Sequence, residues 1–348
     1  MTSTADFSDR IRAATATGTP LRLRGGGTKD WYGQALRGEV LDTRAYSGVI
    51  SYEPTELVIT ARCGTPLAEI EALLAQHQQM LAFEPPRFVG TTIGGVVAAA
   101  FSGPRRASAG AVRDFVLGAV LMDGRGEVLR FGGQVMKNVA GYDVSRLLAG
   151  SLGTLGLILE VSLKVLPVPL REASLRFEMS EIDALARLNE WAGQPLPISA
   201  SCWHQGVLSL RLSGADAAVE AAQRRLGGEP GDAALWESLR DQRHAYFEGG
   251  SLWRMSLPSH ASAIILRGEQ LIEWGGAQRW LKADDAAQAD SIRRTVAACG
   301  GHATLFRGGD KRVGVFHPLA PAVAKIHERL KQSFDPAGIF NPGRMYAD

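Results

Sequence analysis

A glycine run early in the chain is the first candidate for a ligand-binding site. The run reads R-G-G-G-T-K at residues 24–29 and follows a short strand-like segment, 21–23. Consecutive glycines can turn successive backbone N–H groups to one side, because no Cβ atom hinders an approaching anion. The run therefore predicts a nest for a phosphate group, with a plain glycine-rich surface turn as the alternative.

A second run, G-T-T-I-G-G at residues 90–95, directly precedes the small apolar segment 96–100. Thr91 or Thr92 can cap a helix that begins here, and the N–H groups of its first turn can then meet a pyrophosphate. The alternative is a core helix that uses glycine for close packing.

Three further segments extend the pattern: S-G at 102–103, G-A-V-R-D at 110–114, and G-S-L-G-T-L-G at 150–156. The last lies between a helical segment, 144–148, and a strand that begins near residue 157. Its bare backbone lets a flat ring approach, and a simple β-turn is the alternative. Neither G-x-G-x-x-G nor G-x-x-x-x-G-K-[ST] occurs at any of these runs, which disfavours a Rossmann fold or a P-loop.

Strands and helices predicted in the first half position these runs. Residues 56–62 and 115–122 have the composition of strands, and residues 66–79 have the apolar spacing of a helix that Thr65 can cap. A strand at 155–166 ends at a proline pair, Pro167 and Pro169, which cannot continue a sheet. We therefore predict a domain that spans residues 1–169.

The second half alternates strands with amphipathic helices. Residues 208–212 read as a strand, 215–226 as a helix, and 319–334 as a helix that is stopped by the turn-rich residues 335–343. This alternation of strands and helices predicts a second domain of the α+β class over residues 170–348. Two domains also agree with the length of 348 residues.

Composition excludes several classes of protein. With 38 Lys+Arg against 36 Asp+Glu the formal net charge is +2, so a nucleic-acid role is not expected. No apolar run reaches the roughly 18 residues of a membrane span, and the N-terminal residues do not resemble a signal peptide. We expect a cytoplasmic protein without a membrane segment of its own.

Cysteine and histidine usage argues against a metal centre. The three cysteines, Cys63, Cys202 and Cys299, lie far apart, so they predict buried thiols rather than disulfides or an iron–sulfur cluster held by this chain alone. The seven histidines have no metal-binding spacing, and we expect surface or hydrogen-bonded side chains.

The order and spacing of the glycine runs resemble a known domain. R-G-G-G-T at 24–28, T-I-G-G at 92–95, R-D-F-V-L-G at 113–118 and G-S-L-G-T-L-G at 150–156 resemble the PCMH-type FAD-binding domain of the vanillyl-alcohol oxidase superfamily. Within it, residues 133–143 and the motif F-N-P-G-R at 340–344 are similar to the smaller FAD-binding subunits of glycolate oxidase, also called glycolate dehydrogenase. The resemblance implies an α+β fold: a two-lobed PCMH-type domain and a smaller α+β domain with an antiparallel sheet.

The resemblance also implies which residues bind FAD. The loops at 25–28 and 92–95 would hold the pyrophosphate, and residues 150–158 would line the flavin and adenosine. The implied set is Arg24, Gly25, Gly26, Gly27, Thr28, Lys29, Thr92, Ile93, Gly94, Gly95, Ser102, Gly103, Arg113, Asp114, Gly150, Ser151, Gly153, Thr154, Gly156 and Ile158. Many superfamily members carry a covalent histidyl flavin after the first run, whereas this chain has Thr28 there. We expect non-covalent FAD and no metal.

The implied activity is oxidation of glycolate to glyoxylate within a complex. The implied partners are a larger homologous FAD subunit and an iron–sulfur subunit that takes the electrons, and through them the chain could associate with a membrane. Two alternatives stay open: a relay or assembly subunit that oxidises no substrate itself, and a subunit that acts on another 2-hydroxy acid such as D-lactate.

The catalytic residues are not assigned by the sequence, because no histidine-rich motif of the related 2-hydroxyacid dehydrogenases occurs. Lys137, Asn138, Tyr142 and Asp143 could face the flavin, or could form a network of hydrogen bonds at a helix start. Arg344 could reach a substrate carboxylate.

Overall fold

The chain folds into two units that alternate along the sequence. The computed structural model describes residues 3–133, 143–283 and 286–346. Unit 1 comprises Met1–Phe101, Ala111–Pro167 and Pro318–Asp348, and unit 2 comprises Ser102–Gly110 and Val168–His317.

Helices and strands follow one another throughout the described residues. The helices are α1 (Thr4–Thr17), α2 (Leu67–Ala75), α3 (Ile93–Ala99), α4 (Arg106–Ala109), α5 (Val112–Phe115), α6 (Val144–Leu147), α7 (Glu181–Ala192), α8 (Asp216–Leu226), α9 (Ala234–Arg240), α10 (Ala289–Ala298) and α11 (Pro321–Phe334). The strands are β1 (Leu21–Arg24), β2 (Glu39–Asp42), β3 (Val49–Glu53), β4 (Val58–Arg62), β5 (Gln79–Met80), β6 (Val116–Met122), β7 (Val128–Gly132), β8 (Leu157–Lys164), β9 (Leu166–Pro167), β10 (Arg171–Glu178), β11 (Ile198–His204), β12 (Val207–Gly214), β13 (Glu229–Pro230), β14 (Leu252–Ser256), β15 (Glu269–Glu273), β16 (Gln278–Lys282) and β17 (His302–Arg307).

Unit 1 is built on a five-stranded antiparallel sheet with the strand order β3-β4-β8-β6-β7. Its central strands are almost continuously apolar, because both of their faces are buried. Helix α1 contributes Phe7 and Ile11 to a core that it shares with Leu159 of β8. A capping box at Ser3 begins this helix, and Gly18 in the left-handed conformation ends it.

A short parallel ribbon in unit 1 positions the first glycine run. Strands β1 and β2 pair from Leu21 opposite Glu39 to Arg24 opposite Asp42. The parallel pairing fixes the direction of β1 and therefore the point at which residues 25–28 begin. Leu21 and Leu41 are buried in the same core as α1, so hydrophobic burial holds the ribbon in place.

Unit 2 contains an eight-stranded antiparallel sheet with the order β13-β10-β12-β11-β15-β16-β14-β17. Helices α7 and α8 bury Leu188 and Val219 against β12, and α10 buries Ile292 and Val296 against β14 and β17. This arrangement confirms the predicted α+β class and the antiparallel sheet of the second domain.

Most predicted elements have counterparts that differ at their ends. The predicted helix 66–79 is α2, which stops at Ala75 because Gln78 adopts a left-handed conformation and Gln79 enters β5. The predicted cap at Thr65 is wrong. Pro66 is the N-cap without a side-chain hydrogen bond, and the Thr65 hydroxyl instead donates to the Arg62 carbonyl at 2.7 Å.

The structure differs from a division at residue 169 in two places. Residues 318–348 belong to unit 1, because Ile339 and Phe340 are buried in its core and Phe340 forms a parallel bridge with Leu21. Residues 102–110 belong to unit 2, where Ser108 Oγ donates to the Ser199 carbonyl at 3.0 Å. Both insertions depend on contacts between residues far apart in sequence.

Among the described residues, no helix is both long and apolar enough to cross a membrane.

Replacing Phe340 by alanine tests the assignment of residues 318–348 to the core of unit 1. Because Phe340 is 0% exposed, we expect the free energy of unfolding to fall by about 3–5 kcal/mol, measured by denaturant unfolding. Val128→Ala is the control, since Val128 is 46% exposed on β7 and should cost under about 1 kcal/mol. Equal losses in the two variants would contradict the assignment.

Candidate cofactor-binding site

The first glycine run forms a half-buried loop directly after β1. Among the described residues, none accepts a hydrogen bond from the backbone N–H groups of Gly25, Gly26, Gly27 or Thr28. Gly27 has a φ of 70°, a conformation that side chains rarely adopt. Several N–H donors without a partner in the chain are what an anion-binding nest requires.

Glycine is needed in this loop because a second loop lies against it. A Cβ atom on Gly25 would lie 2.3 Å from Thr92 Oγ1, and one on Gly26 would lie 1.7 Å from the Gly90 carbonyl oxygen. The hydroxyls of Thr28 and Thr91 are also 3.0 Å apart. The contact between the two loops therefore requires glycine at positions 25 and 26, which are both half-buried.

The second run begins α3, with Thr92 as its N-cap. Its N–H groups are mostly used within the chain, since Ile93 donates to Thr65 at 2.9 Å and Gly94 to Cys63 at 2.9 Å. Gly95 makes only a long contact, 3.4 Å, with Thr92 Oγ1. The N–H groups of 93 and 94 are thus not available to a phosphate as the sequence suggested, and this loop instead forms a wall against the first.

The third run packs against α3 through its backbone. Gly150 and Leu152 donate to the carbonyls of Val97 and Ala98 at 3.0 and 2.9 Å. Gly153 follows with a φ of 70°. The three runs are therefore neighbours in unit 1, although more than 120 residues separate the first from the last.

An open cleft in unit 1 is shared by all three runs. Its lining residues are Leu23, Arg24, Gly25, Thr43, Cys63, Gly94, Gly95, Ala98, Leu152, Gly153, Gly156, Leu157, Ile158 and Asn341. The predicted residues among them are Arg24, Gly25, Gly94, Gly95, Gly153, Gly156 and Ile158. Small residues form much of the wall, so a flat ring can approach the backbone closely.

The remaining predicted residues fall into distinct environments. Ile93 and Ser151 are buried, and Thr154 Oγ1 donates to the Ser151 carbonyl at 2.8 Å. Arg113 and Asp114 are exposed, and the Asp114 carboxylate accepts from the Ala111 N–H at 2.8 Å, at the start of α5. Ser102 and Gly103 belong to unit 2. Contact of these residues with FAD stays a prediction.

Several lining residues were missed by the sequence analysis. Thr43 follows β2, and its Oγ1 donates to the Arg24 carbonyl at 3.3 Å. Asn341 lies in the F-N-P-G-R motif, which pointed to a family but not to a place in the fold. Cys63 lines the cleft as a neutral thiol, because burial raises its pKa to about 12. No pattern in the sequence distinguishes this cysteine from any other buried one.

The charges beside the first loop are predominantly positive. Arg22 and Arg24 both pair with Asp30, the latter at 3.0 Å. Lys29 has no carboxylate partner among the described residues, and its Nζ lies 3.4 Å from Thr28 Oγ1. Burial lowers the pKa of this ammonium to about 8. An anion bound at the loop would offset that cost.

Arg344 contacts backbone carbonyls of the segment that follows the first glycine loop, and its contact with a substrate carboxylate stays a prediction. Its buried guanidinium donates to the carbonyls of Lys29 at 3.3 Å and Asp30 at 3.0 Å, and also to that of Gln34. Burial lowers the pKa of Arg344 to about 10. The side chain holds the segment that follows the first glycine loop.

Of the other candidate polar residues, the structure describes Asp143. Asp143 pairs with Arg146 at 2.8 Å and accepts from Ser145 Oγ at 3.0 Å, as expected for a network at a helix start. Lys137, Asn138 and Tyr142 lie outside the described residues.

The other two cysteines differ in burial: Cys202 is buried and Cys299 is partly exposed. In the described ranges, no group of three His, Cys, Asp or Glu side chains could hold a metal ion.

Comparison with known proteins agrees with this architecture. The family described as "FAD binding domain" matches residues 1–132. A solved structure of alkyldihydroxyacetonephosphate synthase superposes with a TM-score of 0.65 over 97% of this chain and 75% of that chain. Its 16% identity supports the fold alone. The chain therefore contains an FAD-binding domain with a PCMH-type fold.

Sequence similarity identifies the family more narrowly. The glycolate oxidase subunit GlcE of Escherichia coli is 49% identical over 98% of this chain and 96% of that protein. The glycolate oxidase subunit GlcD of Bacillus subtilis is 28% identical over 53% of this chain and 40% of that protein. The chain belongs to the family of the glycolate oxidase subunit GlcE, and its cofactor is FAD.

Gly26→Ala tests the contact between the two glycine loops. The added Cβ would meet the Gly90 carbonyl oxygen, so we expect the free energy of unfolding to fall by about 1–3 kcal/mol and bound flavin to be lost. Thermal unfolding and the visible absorbance of the purified protein measure both effects. Gly193→Ala is the control, because the nearest atom to its Cβ would be 3.7 Å away. A Gly26→Ala protein that retains full flavin would show that the loops can separate without consequence.

Proposed function

We propose that this chain is the FAD-binding subunit of a multi-subunit glycolate oxidase, or glycolate dehydrogenase, and that it holds FAD non-covalently. The observation that carries the proposal is a cleft lined by three glycine runs, beside which lie the Lys29 ammonium and the N–H groups of 25–28, for which no described residue is a partner. Thr28 stands where many superfamily members have a flavin-linked histidine, which supports non-covalent binding.

The residues present fit the pyrophosphate of FAD. Two phosphate groups carry negative charge, and each hydrogen bond to a charged group is worth roughly 1.5–3 kcal/mol. The N–H groups of the first loop supply such donors, and Lys29 supplies the positive charge. Gly94, Gly95, Gly153 and Gly156 leave the cleft wall without side chains that would obstruct the ring or the chain attached to it.

The bound flavin would supply hydride-accepting chemistry for a 2-hydroxy acid. The protein must then orient the substrate carboxylate and remove the hydroxyl proton. Among the described residues that line the cleft, Arg24 is the one cation, and none is a carboxylate or a histidine. Lys137, Asn138 and Tyr142, which could also face the flavin, lie outside the described residues. A second version of the proposal therefore stays open, in which the flavin relays electrons from a larger homologous subunit that oxidises glycolate.

Partners follow from the names of the relatives. GlcE and GlcD are both called subunits of glycolate oxidase, and both align with this chain, which supports a complex with two homologous flavin subunits. An iron–sulfur subunit as electron acceptor, glyoxylate as product and a cytoplasmic location complete the proposal. An assembly role would be favoured if loss of flavin from this chain left the activity of the complex unchanged.

The visible spectrum of the purified chain, followed by anaerobic addition of glycolate, tests the proposal. Oxidised-flavin bands are expected, and bleaching by glycolate would place substrate oxidation at this flavin. Bands that persist with glycolate but bleach when the larger subunit is added would support the relay version. A folded chain that takes up no FAD, alone or with its partners, would contradict the proposal.

FAD affinity is expected to depend on pH through Lys29. Its pKa is about 8 in the unliganded protein, and a bound phosphate would raise it. The ammonium is therefore present well below pH 8, and FAD affinity should fall as the pH rises above that value. Fluorescence titration between about pH 6 and pH 10 measures this dependence.

Lys29→Met should lower FAD affinity about tenfold or more at neutral pH and abolish the loss of affinity near pH 8. Lys325→Met, at an exposed position on α11, is the matched control and should behave like the unaltered protein. A pH dependence that survives in Lys29→Met would show that another group is responsible.

A further inference from the structure

Residues 335–344 contact β1, which leads into the first glycine run, and the third glycine run, and both runs line the cleft of unit 1. This segment, which we call the strap, enters the ribbon beside β1. Leu21 donates its N–H to the Ile339 carbonyl at 2.7 Å, and Asn341 donates to the Leu21 carbonyl at 2.9 Å. The strap thus adds parallel backbone pairing to the strand that leads into the first glycine loop.

The side chain of Asn341 joins the end of β1, which leads into the first loop, to the third loop. Its Oδ1 accepts from the Leu23 N–H at 3.0 Å, and its Nδ2 donates to the Leu152 carbonyl at 2.7 Å. Asn341 also lines the cleft and is 7% exposed. Its φ of 41° lies in the left-handed region, which asparagine tolerates better than most residues. One amide therefore sets the spacing of two loops that are far apart in sequence.

Arg344 fixes the other end of the first loop. Its guanidinium donates to three backbone carbonyls, those of Lys29, Asp30 and Gln34. A planar guanidinium holds five N–H donors in a fixed fork and can reach carbonyls that lie apart, whereas the three donors of a lysine ammonium all lie on one nitrogen. Arg344 thereby fixes the position of the backbone at Lys29, whose ammonium lies beside the first loop.

An ion pair with a buried carboxylate anchors the start of the strap. The Asp335 carboxylate accepts from the N–H groups of Ile339 and Phe340 at 3.1 and 2.7 Å and pairs with Lys331 Nζ at 2.6 Å. The same ammonium donates to the carbonyls of Thr154 at 2.9 Å and Phe340 at 2.8 Å. The anchor therefore also contacts the third glycine run.

We infer that the strap sets the geometry of the FAD cleft, with Asn341 and Arg344 as positioning residues. The inference rests on the proposed FAD site and explains the F-N-P-G-R motif, which the binding proposal itself does not use. A nest of N–H groups binds tightly only when its donors are held in place before the ligand arrives. Loosening the strap should therefore weaken FAD binding without removing any group that the phosphates contact.

Two loop-specific variants test the inference in the full chain. Asn341→Ala removes the bridge between β1 and the third loop, and Arg344→Met removes the three carbonyl contacts. Each should weaken FAD binding by about tenfold or more in a fluorescence titration. Arg344→Lys should recover only part of the affinity. Arg329→Met, at an exposed position on α11, is the control and should bind FAD normally.

Hydrogen exchange of the unliganded proteins supplies a readout that does not depend on FAD. Asn341→Ala should accelerate exchange in residues 21–28 and 150–156, and Arg344→Met should do so in residues 25–34, with α1 unaffected in both. If the unaltered chain binds no FAD, the proposed function fails, while these exchange patterns still test the strap. Unchanged exchange and affinity would overturn the inference, as would faster exchange throughout unit 1, which would indicate a general loss of stability.

Discussion

The close approach of two glycine loops is the constraint on which the cleft depends. A Cβ atom on Gly26 would lie 1.7 Å from the Gly90 carbonyl oxygen, so the loops can meet only where a side chain is missing. Within the described chain, the N–H groups of 25–28 have no hydrogen-bond partner in this contact region. The parallel ribbon, the cap at Thr92 and the strap all support this one arrangement.

The charge distribution gives this arrangement a preference for anions. Lys29 retains its charge in a half-buried position that disfavours an ammonium, and a bound phosphate would relieve that penalty. Asp30, by contrast, is neutralised by Arg22 and Arg24. Arg344 is bound to backbone carbonyls, so its contribution is geometric. The site thus separates the residues that meet the ligand from those that hold the backbone.

Local patterns predicted much of this protein, and the misses share one physical cause. Strand and helix periodicity located β4, β6, β8 and α8 to within a few residues, since these elements are defined by nearby residues. The association of 318–348 with unit 1 depends on Phe340 meeting Leu21, a contact that periodicity cannot reveal. The same holds for Asn341. The glycine runs indicated the cleft because residues without side chains allow a close approach of the backbone. The fold was needed to show which N–H groups have no partner among the described residues.

The most direct test compares FAD with riboflavin, which has the same ring but no phosphates, as ligands of the purified chain and of Lys29→Met. If the first loop and Lys29 bind the pyrophosphate, FAD should bind far more tightly than riboflavin, and the substitution should weaken FAD by about tenfold while leaving riboflavin unchanged. Equal affinities for the two ligands, or equal losses on substitution, would contradict a phosphate site at residues 25–29.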